Sequence, residues 1–453
     1  MKKLLKQACE KTDSAELFRA KSKTIPVNFE VNRLKSIDIS ESEGKALRVI
    51  NKGKIGFSTS TGDEDFGLIV KKAVATSEFG STASFDFPGE MKKENKEKKS
   101  LAIYDEKVVD KSIEEMVKIG EGIIERIKDF NPKLRCDVTI LKDLSEVEYL
   151  NSRGGNFSYL KTAIAYSLMV QQTEEQDMLM VYSSLESGKD DLNAKELTSE
   201  IIENLKWGEK IVSVGSGKMP VIFTPKAALV LILSIISGLN GKMVLKKISP
   251  LTSQKNKKLW SDLLTLYSDG TIDFALGSAP FDDEGVEMKR IPLVEKGEIK
   301  NFYYDLQTAG MVGVESTGNG LRSGIQSEPV PGISNLIMEE GEVSFQDMVK
   351  DISEGIIIDQ VLGLGQGNII SGAFSNNVQL GYKIEKGKIV GRVKDVMIAG
   401  NALEELKNIA ALGNKAKWVE GKYKFPHIYL KSLSVSAKVC QGDGSPDNIQ
   451  VIR

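Results

Sequence analysis

Histidine and cysteine are the scarcest reactive residues in this chain of 453 residues. It has one histidine, His427, and three cysteines far apart in sequence: Cys9, Cys136 and Cys440. Histidine is the usual general base near neutral pH and the commonest metal ligand. The chain therefore cannot build a histidine-rich metal site of its own. A Ser-His-Asp triad would have to recruit His427, which stands at a predicted strand entry, so we interpret it as a structural or surface residue.

The chain also lacks long apolar runs and any excess of charge. Its longest apolar stretch, residues 227–236, is too short to span a bilayer, and its basic N-terminus has no apolar signal-peptide core. With 61 basic and 63 acidic residues, it has no electrostatic footprint for nucleic acid or a membrane surface. Three unclustered cysteines fit a reducing compartment. The sequence therefore predicts a soluble, cytoplasmic protein with no nucleic-acid or membrane partner.

The first part of the chain predicts an α+β region. Two stretches, about 1–90 and 105–208, each show a helix, then strands, then a helix, which indicates an internal duplication or two similar lobes. Ser112 and Glu115 form a predicted capping box, and a helix is predicted near residues 194–207. The lysine-rich segment 91–99 has mixed charges, which favour a solvated loop over a binding tail.

After residue 208 short strands punctuated by glycine replace most helices. Thr224 and Pro225 predict the start of a helix that runs to Ser237, is apolar all round and is therefore buried. A hairpin is predicted to turn at residues 385–388, and a further helix at residues 402–411. The predicted fold class is α+β, in three parts: an N-terminal α+β domain at 1–208, a β-rich domain at 209–438 around the buried helix, and a polar tail at 439–453.

An acidic turn, residues 282–284, carries three carboxylates in a row between two glycines. Asp282, Asp283 and Glu284 could hold a hard cation through oxygen ligands, or one could act as an acid or base if its pKa were raised. A tight turn, in which Asp and Gly supply the backbone geometry, is the favoured interpretation.

Two glycine-rich segments, 313–324 and 363–367, match neither a dinucleotide-binding fingerprint nor a phosphate-binding loop. Tight turns are favoured over close approach of the backbone to a ligand. Arg322 in the first segment could anchor a carboxylate. Together with Asn319 and the acidic turn, it completes the set of candidate ligand or substrate contacts.

These segments, in this order, resemble the TldD/PmbA family. Residues 277–285 (GSAPFDDEG) are similar to its "G-S-x-x-F-D-D-E-G" signature. Thr317-Gly318-Asn319 and residues 331–340 (PGISNLIMEE) are similar to its "TGN … P-x-x-SNL" run. The pattern is completed by residues 372–375, 381–387, 396–401 and 408–414. The resemblance covers nearly the whole chain and is most specific in the C-terminal half.

The resemblance implies a cytoplasmic dimer whose α+β and β-rich parts enclose a cavity. TldD-type members carry a His-Glu-x-x-x-His helix and a distal cysteine, which hold zinc while the glutamate activates water. When Ser237-Gly-Leu-Asn-Gly241 is aligned with the end of that motif, Ile232 and Leu233 occupy its His-Glu positions and Ser237 its second histidine. The cysteine-bearing segment after Asn414 is also missing. The chain is thus identified as a PmbA (TldE) type, a non-zinc partner of TldD.

This resemblance implies a subunit with no catalytic residue, metal or cofactor of its own. Zinc is expected only in a TldD-like partner, with which the chain would form a heterodimer around an extended peptide; a homodimer is the other arrangement. One alternative is an independent hydrolase that uses Asp282, Asp283 or Glu284 with a recruited metal. Another is a homodimeric peptide-binding protein without chemistry. PmbA-type chains have been called modulators of DNA gyrase, but the charge balance offers no nucleic-acid surface.

Overall fold

The computed structural model describes residues 1–62, 65–90, 100–174, 177–366 and 368–438. The predicted lysine-rich loop and the predicted polar tail, which contains Cys440, lie outside these ranges. Within them, no helix combines the length and the apolar character that crossing a membrane requires. The chain is a mixed α+β protein, with one sheet in the N-terminal region and a second, larger one in the C-terminal region.

The N-terminal region is built on one antiparallel sheet. Its strands are β1 Ser14–Glu30, β2 Arg33–Ile37, β3 Ser40–Asn51, β4 Lys54–Ser60, β5 Arg135–Asn151, β6 Asn156–Glu174 and β7 Asp177–Ser187. They are ordered β4-β3-β1-β5-β6-β7, and β2 also pairs with β1. The helices of this region are α1 Lys2–Cys9, α2 Phe66–Ser77, α3 Glu106–Asp110, α4 Ile113–Phe130 and α5 Ala194–Trp207.

The predicted order of helix, strands and helix does occur twice, but both sets of strands belong to the same sheet. Strand β1 of the first set pairs with β5 of the second, from Glu16 opposite Asn151 to Phe29 opposite Val138. The capping box is confirmed, because Ser112 Oγ accepts the Glu115 N–H and the Glu115 carboxylate accepts the Ser112 N–H. The helix predicted near residues 194–207 is confirmed as α5.

The C-terminal region is rich in strands, as predicted. They are β8 Gly217–Phe223, β9 Leu266–Asp269, β10 Arg290–Glu295, β11 Glu298–Ile299, β12 Gly320–Leu321, β13 Val330–Pro331, β14 Leu336–Met338, β15 Glu354–Val361, β16 Ala373–Glu385, β17 Lys388–Arg392, β18 Val396–Asn401, β19 Ile409–Val419 and β20 Tyr423–Ala437. Five of them, β8, β15, β16, β18 and β20, close into a barrel, because β8 pairs with both β15 and β20. The predicted hairpin is confirmed, with Glu385 opposite Lys388.

The helices of this region are α6 Leu229–Leu239, α7 Gly241–Leu245, α8 Leu306–Val312, α9 Phe345–Asp351 and α10 Ala402–Glu405, with 3-10 helices at Ile369–Ser371 and Leu406–Asn408. Helix α6 is the predicted buried helix, and it shares a hydrophobic core with barrel residues such as Val221, Ile356 and Ile398. Its predicted start is too early, since residues 225–228 form turns, and it ends at Leu239 rather than Ser237.

The helix predicted at residues 402–411 is wrong beyond Glu405. A 3-10 helix follows α10, and β19 begins at Ile409. Ile409 lies opposite Leu430 and Ala411 opposite Tyr429 in the sheet, and both Ile409 and Ala411 are buried. Strand pairing and burial in the core therefore override a helical propensity that the local sequence favours.

Helix α2 packs so closely on β4 that Gly56 leaves no room for a side chain. A Cβ at this position would lie 2.0 Å from the carbonyl oxygen of Ala73. We predict that Gly56→Ala lowers the free energy of unfolding by about 1–3 kcal/mol, because β4 or α2 must shift to make room for the Cβ. A Cβ at Gly122 in α4 would meet no atom within 4 Å, so Gly122→Ala should leave stability unchanged or raise it. Urea unfolding of both variants checks this, and equal losses would contradict the packing.

Candidate functional site

The acidic turn lies where the C-terminal region meets the N-terminal sheet. Asp282 and Glu284 are 1% and 0% exposed, and Asp283 is half-buried. Two charged residues of the sheet approach the turn from the other side, Glu16 of β1 and Arg48 of β3, and both are fully buried. The turn therefore faces a dry, charged interior surface.

Four side chains join the two regions in a line of alternating charge, which we call the charge network: Glu284, Arg48, Glu16 and Arg322. Arg48 Nη1 donates to Glu284 Oε1 at 2.7 Å, and Arg48 Nε lies 2.8 Å from Glu16 Oε1. Arg322 Nη2 donates to the same Glu16 oxygen at 3.1 Å. All four side chains are at most 2% exposed. Because water is excluded, each charge depends on its neighbours for compensation.

Aromatic rings cover the two guanidinium groups of the network. The Arg48 guanidinium lies 4.8 Å from the centre of the Phe85 ring and 5.4 Å from that of Phe87. The Arg322 guanidinium is similarly close to two rings of the N-terminal sheet, those of Phe18 and Phe57. A cation over an aromatic face is attracted by the ring quadrupole. The rings therefore compensate in part for the hydration that the arginines have lost.

Both carboxylate oxygens of Asp282 accept hydrogen bonds from backbone N–H groups of its own turn and of the neighbouring segment. Its Oδ1 accepts the N–H groups of Glu284 and Val286, and its Oδ2 accepts that of Gly320. Gly320 must be a glycine here, because a Cβ would lie 2.1 Å from Glu284 Oε2. These bonds are those of an Asp-Gly turn that fixes backbone geometry.

The other two carboxylates of the turn also accept backbone N–H groups. Asp283 Oδ2 accepts the N–H of Arg322, and Glu284 Oε2 accepts the N–H of Leu306 at the start of α8. Tyr149 adds a further tie, since its hydroxyl lies within hydrogen-bonding distance of both Glu16 Oε2 and the Glu284 carbonyl oxygen. The turn is thus bonded to four separate segments of this chain: β3 through Arg48, β5 through Tyr149, the start of α8, and residues 320–322. Its role in the chain is therefore structural.

The two remaining candidate contacts also have partners within the chain. Asn319 is 2% exposed, and its Nδ2 donates to the Gly332 carbonyl oxygen at 2.8 Å. Arg322 does anchor a carboxylate, but it is that of Glu16, and its Nη1 donates to the Ser327 carbonyl oxygen. A substrate contact by either residue stays a prediction.

Burial shifts the pKa values around the turn. It raises the pKa of Glu284 to about 7, against the opposing effect of Arg48. It also raises the pKa of Asp282 well above its ordinary value, with the charge of Glu284 adding to the rise. Burial lowers the pKa of Lys161 to about 8, while Asp283 opposes the shift. The Lys161 ammonium donates to the carbonyl oxygens of Leu276 and Ser278, and so holds the start of this segment.

Glu16, Arg48 and Lys161 were not among the residues singled out from the sequence. A signal for two of them is present, because Glu16 stands in the apolar run Ala15 to Phe18 and Arg48 between Leu47 and Val49. A charged residue inside an apolar strand is buried only when it is paired. Lys161 gives a weaker signal, since Leu160 precedes it but the polar Thr162 follows it.

The residues aligned with the zinc motif lie on α6 and do not suit a metal. Ile232 is 0% exposed in the core, and Leu233 packs against the same core. Ser237 lines a cavity of about 490 Å³ at the C-terminal end of the helix. Zinc in proteins is held by thiolate, imidazole or carboxylate groups, and none of the three residues supplies one. In the part of the chain that the structure describes, no group of three or more His, Cys, Asp and Glu side chains is placed to hold a metal.

His427 lies in β20, as its predicted strand entry requires, and packs on an aromatic ring. Its ring centre is 4.6 Å from that of Phe345. Burial lowers the pKa of His427 to about 4, the charge of Lys417 lowers it further, and Glu200 opposes both. The side chain is therefore neutral at pH 7 and has the packing of a structural residue.

Arg48 and Arg19 offer a matched comparison on neighbouring strands. Arg48→Met should lower the free energy of unfolding by about 3–5 kcal/mol, because it leaves the carboxylates of Glu16 and Glu284 without their shared cation. Arg19 pairs with Glu43, Glu146 and Glu148 at a partly exposed site, with 19% of its side chain accessible. Arg19→Met should therefore cost less than about 1 kcal/mol. Chemical denaturation measures both, and similar losses would contradict the role of the network.

Glu284 should give the protein a pH-dependent stability near neutrality. Its folded pKa of about 7 is above its ordinary 4.5. Its contribution is therefore fully present below pH 4.5 and is lost as the pH rises through 7. Glu284→Gln should flatten the profile of unfolding free energy across that window, measured by urea titrations at successive pH values. Parallel profiles for the two proteins would show that Glu284 does not titrate there.

The family models and known proteins that match this chain belong to the family whose signature the acidic turn resembles. A family model for the "PmbA/TldA metallopeptidase C-terminal domain" matches residues 216–437, and one for "PmbA/TldA metallopeptidase domain 1" matches residues 15–77. The chain is 30% identical over 297 residues to the "Metalloprotease TldD homolog" of Buchnera aphidicola, a match that covers 65% of this chain and 57% of that protein. It thus spans little more than half the length of that relative.

Two further matches cover most of the chain. The "Metalloprotease PmbA homolog" of Buchnera aphidicola is 23% identical over 429 residues, which is 91% of each chain. The crystal structure of TldE from Thermococcus kodakarensis has a TM-score of 0.89 at 21% identity, and the match covers 96% of this chain and 100% of that one. This likeness shows a shared fold. From the two family models, the signature of the acidic turn and the common architecture, we conclude that the chain belongs to the TldD/PmbA metallopeptidase family.

Proposed function

We propose that this chain is the zinc-free, PmbA/TldE-like subunit of a TldD-type metalloprotease complex that acts on unfolded or extended peptides. The observation that carries the proposal is the chemistry of α6 at the positions of the zinc motif. Ile232 and Leu233 offer only hydrocarbon, and Ser237 offers a neutral hydroxyl. Hydrolysis in such a complex would then depend on zinc held by the partner, and this chain would contribute to the dimer and its substrate chamber.

The state of His427 also supports a subunit without chemistry of its own. It is neutral at pH 7 because its pKa is lowered to about 4, so it is a weak base. A general base works best when its pKa is near the working pH. Its ring also packs at a tilt against the ring of Phe345.

The geometry of the acidic turn speaks against the rival hydrolase. Asp282 and Glu284 are almost fully buried, and each of the three carboxylates already accepts a backbone N–H. A recruited cation would have to displace these bonds and reach the dry interior beside Arg48. The carboxylates are better explained by their role in joining the two regions of the chain. The other alternative, a homodimeric peptide-binding protein without chemistry, is distinguished from the proposal by the experiment with a TldD-like chain.

The test combines this chain with a TldD-like chain from the same cell. We expect a stable heterodimer that cleaves an unfolded peptide and is inhibited by a chelator. His427→Phe in this chain should leave cleavage intact, while removal of the partner's His-Glu-x-x-x-His ligands should abolish it. The chain alone should cut nothing and, after dialysis, contain almost no zinc by elemental analysis.

Two results would overturn this proposal. One is chelator-sensitive cleavage by the isolated chain, and the other is about one tightly bound zinc per chain in the absence of a partner. The variant Asp283→Asn distinguishes the proposal from the alternative of an independent hydrolase with a recruited metal. The proposal expects a change in melting temperature without loss of assembly, whereas a divalent cation that stabilises wild type but not this variant would favour a metal at the turn.

A further inference from the structure

The cavity beside Ser237 lies where α6 ends and α7 begins, opposite the 3-10 helix Ile369–Ser371. Its volume is about 490 Å³, which is within the range of small-ligand pockets. Helix α6 is in contact with the 3-10 helix, and residues of both elements contribute to its walls. The lining residues are Ile236, Ser237, Asn240, Met243, Tyr303 and Asn368–Ile370.

Among the described residues that line this cavity none is charged, and four are purely apolar: Ile236, Met243, Ile369 and Ile370. A charged group that entered it would lose water without gaining a partner, which is costly. An aliphatic or aromatic side chain would instead gain about 25 cal/mol for each Å² of apolar surface removed from water. The lining thus selects an uncharged, apolar guest.

The polar groups of the lining fall into two classes. Asn240 and Tyr303 already have partners within the chain: Asn240 Nδ2 donates to the Pro331 carbonyl oxygen, Asn240 Oδ1 accepts the Lys242 N–H, and the Tyr303 hydroxyl donates to the Ile236 carbonyl oxygen. Within the described residues, Ser237 Oγ has no hydrogen-bond partner, and Asn368 uses its Oδ1 to accept the Ser371 N–H while its Nδ2 has none. The Ser237 hydroxyl is partly buried and the Asn368 amide is exposed, so both can bond the backbone of a peptide that lies over the cavity.

We propose that this cavity binds one uncharged, apolar side chain of an extended peptide, with Ser237 and Asn368 bonding the peptide backbone. The inference rests on the proposed function, because it names the part of the substrate that the zinc-free subunit holds. The serine at position 237 then has two consequences: the metal ligand of the family motif is missing, and space is left for a side chain of the peptide. The subunit then contributes to peptide selection rather than to bond cleavage.

The test measures binding of short fluorescein-labelled, end-blocked peptides to the full-length isolated chain by fluorescence anisotropy. The peptides are identical except for one central residue, which is leucine, glycine or aspartate. We expect the leucine peptide to bind at least about tenfold more tightly than the other two. Ser237→Phe, which narrows the cavity, and Ile370→Asp, which places a charge in it, should each abolish this preference. Ser213→Phe, at an exposed residue outside the lining, should leave it unchanged.

Equal affinity for the three peptides, or an unchanged preference in both cavity variants, would overturn the inference. These outcomes are separable from failure of the proposed function. If the chain forms an active complex with a TldD-like partner but shows no leucine preference, only the present inference fails. If the preference is found but no partner is bound, the cavity stands as a peptide site and the proposed function fails.

Discussion

The pairing of Arg48 with two carboxylates is the interaction on which the arrangement of this protein depends. Glu16 and Arg48 are on neighbouring strands of the N-terminal sheet, and Glu284 belongs to a turn more than two hundred residues later. Removing any one of the three would leave a buried polar group without its partner. Their pairing therefore requires the sheet and the acidic turn to meet in one relative position.

The position of Glu284 beside Arg48 also explains the identity of several residues around the acidic turn. Glu284 also accepts the N–H at the start of α8, and Gly320 is needed because a side chain would collide with the Glu284 carboxylate. Asp282 fixes the turn that presents Glu284. The acidic signature thus acts as a structural connector between two regions. Chemistry, if the proposed function holds, belongs to the partner's helix and not to this turn.

Local patterns in the sequence predicted those elements whose causes are local. The capping box at Ser112, helix α5 and the hairpin at residues 385–388 follow from side chains within a few residues of one another. The buried helix α6 was predicted because it is apolar on all sides. Its start was placed too early, since residues 225–228 form turns before the helix begins at Leu229.

Features that depend on distant residues could not be predicted in this way. The union of both strand sets in one sheet depends on the pairing of β1 with β5, which are separated by more than a hundred residues. The strand at Ile409 has helix-compatible neighbours and is fixed by its pairing with Leu430. The acidic turn was predicted as structural, but its partners Arg48 and Glu16 gave only the weaker signal of a charge within an apolar strand.

In the proposed complex, zinc would be held by one subunit alone. Anomalous X-ray diffraction at the zinc edge, from crystals of this chain with a TldD-like partner, tests it most directly. We expect one zinc peak per heterodimer, on the partner's helix, and no peak near Ser237 or the acidic turn of this chain. A second peak of comparable height bound by side chains of this chain would contradict it.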